Sequence, residues 1–170
     1  DLIGHSFGGW LAAHVAVRHP DSVEMMVLEC PAGFRPEGKG GLSDDPKELF
    51  RTLYAYPEKL PADDRPDDVV RGNRKQVAHY HGGMPLDEEL VARLGDIAAP
   101  TLILHGTREE VIPIETCRIL KDGLSHSYLI YIYDAAHFLE IDQPERVGGL
   151  ILDFFARGES FIVNPGVEAA

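Results

Sequence analysis

Apolar and polar positions along this chain follow two alternating periods. Short, nearly unbroken apolar runs occur at Leu2-Ile3, Val23 to Glu29, Thr101 to Leu104 and Ser127 to Tyr133. Between them, apolar residues recur at helical spacing. Runs with no polar face suit strands buried on both sides, and the intervening period suits covering helices. A helix is expected from Gly8 to His19, stopped by Pro20. Its small residues, Gly8, Ala12 and Ala16 beside Gly9 and Ala13, make one slim face that can lie close to a sheet. Gly38, Gly40, Gly41 and Pro36 make residues 34–43 a loop. Three shorter helices are expected in residues 44–94. The first opens with an N-cap, a proline and a glutamate in Asp45-Pro46-Lys47-Glu48 and runs to about Tyr56. The second spans Asp67 to His81, bounded by Pro57, Pro61 and Pro66 before it and Gly82-Gly83 after it. The third runs from Asp87 to Leu94. Pro113 to Asp122 reads as a helix closed by Gly123, and Asp142 caps a last helix to Arg157. The expected fold class is therefore α/β, a parallel sheet flanked by helices. Residues 158–170 read as a surface tail.

Charge narrows the partners. The net charge is −12 in 170 residues. Such a surface repels phosphate backbones and anionic lipid. No apolar run reaches the ~20 residues that span a bilayer. Nucleic acid and membrane are thus not expected partners; a small molecule is. The two cysteines, Cys30 and Cys117, make neither a disulfide framework nor a metal cluster. They read as buried free thiols, which fits a reducing, cytoplasmic setting. Asp1-Leu2-Ile3 reads as the end of a buried strand, so the chain is expected to begin inside a longer one.

Gly4-His5-Ser6-Phe7-Gly8 fits G-x-S-x-G between a strand and a helix. A serine there sits on a turn so tight that side chains two positions either way should collide, and glycines at 4 and 8 remove them. The helix behind points its positive end at the place where an oxyanion would form. The pentapeptide alone also fits a glycine-rich connection in another α/β fold. No G-x-x-x-x-G-K is present, so a phosphate loop is not indicated.

With Gly9 added, that turn resembles the nucleophile elbow of the α/β-hydrolase superfamily. Three later stretches resemble the same pattern in the same order: His19-Pro20 before Val23; Pro100-Thr101-Leu102-Ile103-Leu104-His105-Gly106 with Glu109 and Pro113; and Asp134-Ala135-Ala136-His137-Phe138-Leu139 with Pro144-Glu145. The resemblance covers nearly all of residues 1–157. It implies a partial hydrolase core in residues 1–36 and 95–157, lacking upstream strands, with a helical cap at 37–94.

The same resemblance implies the site. Ser6 is the nucleophile and His137 its base. By position alone, His137 is equally a surface-loop histidine. The acid falls three residues after Gly106, where the family has aspartate and this chain has Glu109. Glu29, at the end of the second strand, and the adjacent Glu110 are the alternatives. Ala136 replaces the usual glycine before the histidine. The amide of Phe7 is the expected oxyanion donor; the family's second donor lies upstream of the elbow. Without it and the upstream strands, these 170 residues alone are expected to be unstable or inactive. His5 is expected to pack or bond to backbone, His14 and His19 to lie on a surface helix, and His79, His81 and His126 to be solvated. His105 ends a strand near the site. Phe50, Leu53, Tyr54 and Tyr56 either line a pocket or bury the cap, and Arg71 and Arg74 either hold a substrate carboxylate or face water.

The expected function is a serine hydrolase cleaving a small-molecule ester or carbon–carbon bond through an acyl-enzyme, with no cofactor and no metal. The alternatives are a small-molecule receptor or a catalytically silent member on the same scaffold. Epoxide hydrolases and dehalogenases with an aspartate nucleophile are disfavoured by Ser6.

Overall fold

A computed structural model describes residues 1–43, 45–60, 66–81 and 84–162. Its centre is a four-stranded, all-parallel sheet in the order β1-β2-β3-β4. The strands are β1 (Leu2–His5), β2 (Met26–Glu29), β3 (Thr101–Gly106) and β4 (Ser127–Ile132). Register runs Ile3 to Val27, Val27 to Leu102 and Leu102 to Tyr128. β2 and β3 are buried at every position, which is why they read as unbroken apolar runs. Successive side chains point to opposite faces. Met26, Leu28 and Ile103 therefore join one core with Ala12, Ala13, Ala16, Cys117 and Leu120. Val27, Leu102 and Leu104 join a second with Ile132, Val147 and Phe154.

Helices cover both faces. α1 (Phe7–Arg18) presents its small residues to the first core, as the slim face requires. α4 (Glu88–Ala92) and α5 (Glu115–Gly123) complete that side. α7 (Pro144–Arg157) covers the other, preceded by the single turn α6 (Leu139–Asp142). α2 (Pro46–Leu53) and α3 (Asp67–His81) lie in the segment between β2 and β3. Asp87 ties α1 to α4. Its carboxylate accepts from Trp10 Nε1 and His14 Nε2, both at 2.9 Å, and from the Leu90 amide at 3.0 Å.

Several boundaries and roles depart from the sequence reading. β2 starts at Met26, not Val23, and β4 ends at Ile132. α2 stops at Leu53, because the Leu53 carbonyl accepts from the Phe138 amide at 3.1 Å and the Ala55 amide turns to Asp142. Asp142 does not cap the last helix: Gln143 precedes α7. The Asp142 carboxylate instead accepts from Ala55 at 3.0 Å and Ala136 at 2.8 Å, joining the segment after α2 to the His137 loop. His14 is not a free surface side chain, since Asp87 covers it. Residues 158–162 form a short 3-10 turn rather than a loose tail. The expected breaks at Pro61 and Gly82-Gly83, and residues 163–170, lie outside the described residues.

Candidate active site

Three parallel strands end at one rim, and each delivers a part. β1 runs directly into Ser6, whose backbone sits at φ 52°, ψ −117°. A serine before a helix ordinarily caps it with its hydroxyl. Here the positive φ turns the side chain away, and α1 has no side-chain cap bond. The Oγ lies 3.0 Å from His137 Nε2. The turn itself is held by the Ser6 amide on the Glu29 carbonyl at 2.9 Å and the Ala32 amide on the Ser6 carbonyl at 2.8 Å.

The glycines do not all act as expected. A methyl on Gly4 would meet the Gly8 carbonyl oxygen at 2.4 Å, so glycine is required there. A methyl on Gly8 would meet nothing within 4 Å, whereas one on Gly9 would come 2.6 Å from Pro31 Cβ. The tight pair is therefore Gly4 and Gly9. Gly8 is free of the collision that the turn geometry suggested.

His137 follows β4 in a loop folded over Gly106, where an added methyl would stand 2.3 Å from the Ala135 carbonyl. Its Nδ1 is 2.7 Å from Glu109 Oε2. A carboxylate only accepts, so Nδ1 carries the proton and Nε2 is the acceptor facing the Ser6 hydroxyl. Both the His137 and Glu109 side chains are almost wholly buried. Glu109 Oε1 accepts from the amides of Val111 at 2.6 Å and Ile112 at 3.1 Å. Burial works to raise the Glu109 pKa. The hydrogen bond and charge of His137, then Cys30 and the Ile112 amide, outweigh it and hold the carboxyl below its ordinary range.

The other acids are placed elsewhere. Glu110 is exposed. It lines a concavity of about 470 Å³ that Glu109 also borders, with His105, Glu115 and Tyr131. Glu29 is buried, and burial followed by the charge and hydrogen bond of Glu140 raises its pKa to about 7. In the unfolded chain its pKa returns to about 4.5. A carboxyl whose folded pKa is raised favours folding below the unfolded value and loses that contribution as pH climbs through the folded one. Glu29→Gln should therefore gain stability over wild type between about pH 4.5 and 7, by up to about 3 kcal/mol at pH 8. Urea unfolding at pH 5 and pH 8 checks this, and parallel pH dependence of the two proteins would refute it.

Of the remaining histidines, His5 bonds to backbone as expected. Its Nε2–H donates to the His137 carbonyl at 2.8 Å, and burial, then His137, lowers its pKa. His105 is buried, donates from Nε2 to the Ile112 carbonyl at 3.0 Å, and has no partner for Nδ1 among the described residues. His79 and His126 are exposed; the side chains of His81, Arg71 and Arg74 lie outside the described residues.

A cavity of about 250 Å³ opens on Ser6 and Phe7. Apolar groups from Ala32, Leu42, Val77, Val111 and Ile112 line much of it, and Arg35 lines it too. Phe50, Leu53, Tyr54 and Tyr56 are not in that lining. Leu53 packs on the second core, Tyr54 stacks on Phe138 at 5.0 Å, and Tyr56 bonds to Asp134. Cys30, Glu109 and His137 are the one cluster of metal-ligand donors among the described residues, within 4.8 Å of one another. The places of Asp142, which accepts from the Ala136 amide, and of Cys30, within 4.8 Å of Glu109 and His137, were not foreseen: the sequence marks the first only as a helix cap and the second only as a buried thiol.

Residues 1–149 match the model of the alpha/beta hydrolase family. The chain belongs to this family. It is 25% identical to the 2-hydroxymuconate semialdehyde hydrolase of Pseudomonas sp. strain CF600, over 96% of this chain and 64% of that protein. It is 35% identical to the AB hydrolase superfamily protein YisY of Bacillus subtilis, over 90% of this chain and 65% of that protein. The fold is also that of the 2-hydroxy-6-oxo-6-phenylhexa-2,4-dienoate hydrolase of Rhodococcus sp. strain RHA1, with TM-score 0.72 and 20% identity over 91% of this chain and 63% of that one. The chain thus spans less than two thirds of the length of these relatives. No helix among the described residues is long and apolar enough to cross a membrane.

Proposed function

We propose that this α/β hydrolase acts as a serine hydrolase on a small carbonyl compound, an ester or a carbon–carbon bond next to a ketone. The observation that carries it is the continuous hydrogen-bond chain Ser6 Oγ–His137 Nε2 (3.0 Å) and His137 Nδ1–Glu109 Oε2 (2.7 Å), opening on a cavity. The 2-hydroxymuconate semialdehyde hydrolase named above and a pimeloyl-[acyl-carrier protein] methyl ester esterase of Yersinia enterocolitica, 25% identical over 89% of this chain, support a carbonyl substrate of one of these kinds.

In this reading Ser6 Oγ attacks the carbonyl carbon as its proton passes to His137 Nε2. Glu109 keeps the imidazole in the required tautomer and offsets its positive charge. The Phe7 amide, at the positive end of α1, holds the oxyanion. His137 then returns the proton to the leaving group, and water repeats the sequence to free the enzyme. Residues 37–94, which supply Leu42, Val77 and Pro85 to the cavity, act as its cap.

A fluorophosphonate probe applied to the full-length protein tests the reading without knowledge of the substrate. Peptide mapping should place the label on Ser6, with phosphonylation dependent on the folded state. Failure of the folded protein to react, or a label elsewhere, would refute the assignment.

A further inference from the structure

Cys30 has no part in the chemistry above, yet its thiol lies within 4.8 Å of the carboxylate that holds the imidazole. It directly follows β2 and is wholly buried. Its Sγ, a Glu109 carboxylate oxygen and a His137 ring nitrogen all lie within 4.8 Å of one another. Its backbone is fixed in place, the amide donating to the Leu104 carbonyl at 3.0 Å with φ at +40°. That left-handed conformation is costly for a residue with a β-carbon, and glycine would adopt it freely. A strained residue kept beside a site points to a compensating contact.

Glu109 supplies the need for one. It is one methylene longer than the aspartate expected at its position, so it has one more torsion to fix. Two loop amides hold Oε1, and His137 occupies Oε2. A carboxylate has about four acceptor sites, and a buried acceptor left short is costly. The neighbouring thiol is protonated, because burial and then the Glu109 charge push its pKa well above the ordinary value. Toward a carboxylate it is therefore a donor. The groups facing Glu109 are His137 and Cys30, with His5 and Cys117 as weaker electrostatic neighbours.

We propose that Cys30 is a positioning residue: its S–H donates to the Glu109 carboxylate and, with the Val111 and Ile112 amides, keeps Oε2 on His137. The functional part of this inference rests on the Ser6–His137–Glu109 reading. The thiol touches no reacting atom and acts only through Glu109.

Two measurements test it. Infrared spectroscopy reads the S–H stretch, in a region where proteins otherwise absorb little. The band lost in Cys30→Ser should lie at lower wavenumber than the Cys117 band and move up in Glu109→Gln. A Cys30 band at the position of a free thiol, unmoved by Glu109→Gln, would overturn the proposal whether or not the protein is a hydrolase. The second readout is the rate of fluorophosphonate labelling. Cys30→Gly relieves the backbone and removes the donor, and should slow labelling about threefold to tenfold. Cys30→Ser restores a donor and should stay within about twofold of wild type. Equal slowing in both variants would show that a donor at this position does not restore the rate, and would overturn the positioning role. An unlabelled wild type would instead refute the hydrolase reading, leaving the infrared bands to decide whether the thiol is bonded to Glu109.

Discussion

Glu109→Gln is expected to slow phosphonylation of Ser6 by about ten-thousand-fold, by analogy with loss of the acid in a serine–histidine–acid triad. The expectation follows from donors and acceptors. The position of Oε1 faces two backbone N–H groups, from Val111 and Ile112. In a glutamine, the amide oxygen must take that place. The amide nitrogen is then left where Oε2 now meets His137 Nδ1 at 2.7 Å. A donor there requires Nδ1 to accept, which moves the imidazole proton to Nε2. His137 would then present an N–H to the Ser6 hydroxyl, 3.0 Å away, and could not take its proton. Shape and packing are conserved, so the fold should survive and the loss should fall on rate. Glu29→Gln and Glu110→Gln serve as controls. Neither carboxylate bonds to His137 among the described contacts, and both variants should label within about twofold of wild type. A Glu109→Gln protein that reacts at the wild-type rate, or a Glu29→Gln protein that loses as much, would remove Glu109 from the role.

How much of this could be read from the letters depends on whether the cause is local. β2 and β3 were legible because a strand buried on both faces leaves an unbroken apolar run. α1 was legible because its small residues repeat at helical spacing on the face that meets the sheet. Ser6 and His137 were legible as a strand–turn–helix and a loop after a strand, and a family resemblance was needed to join them. Features set by distant partners were not legible. α2 ends at Leu53 because Phe138 and Asp142 take the backbone groups that another helical turn would use. His14 sits on the side of α1 that looks solvent-facing, until Asp87 arrives from beyond the third helix to cover it. Asp142 reads as a helix cap in sequence, and only the fold brings Ala55 and Ala136 to its carboxylate. Cys30 carries no pattern that would place it here: only the loop after β3 brings Glu109 within 4.8 Å of it.

The glycines of the turn show the same limit, and they yield the sharpest stability contrast. Gly4→Ala should lower the melting temperature by about 6–12 °C, the equivalent of about 3 kcal/mol. The added methyl would stand 2.4 Å from the Gly8 carbonyl oxygen and 2.7 Å from Gly9 Cα. Those are backbone atoms of α1, so no side chain can rotate away to make room. Either β1 and α1 separate or the bend at Ser6 opens, and both would also carry Oγ away from His137. Gly9→Ala should be destabilising for a related reason, since its methyl would press on Pro31, whose ring has little freedom to yield. Gly8→Ala should behave oppositely. It lies in the first turn of α1 with open space around an added methyl. Alanine is favoured over glycine in a helix by up to about 1 kcal/mol. Melting should thus stay level or rise by about 2–4 °C. Thermal denaturation of the three single variants settles the comparison, and a Gly8→Ala loss as large as that of Gly4→Ala would show that the bend is tighter than these contacts describe.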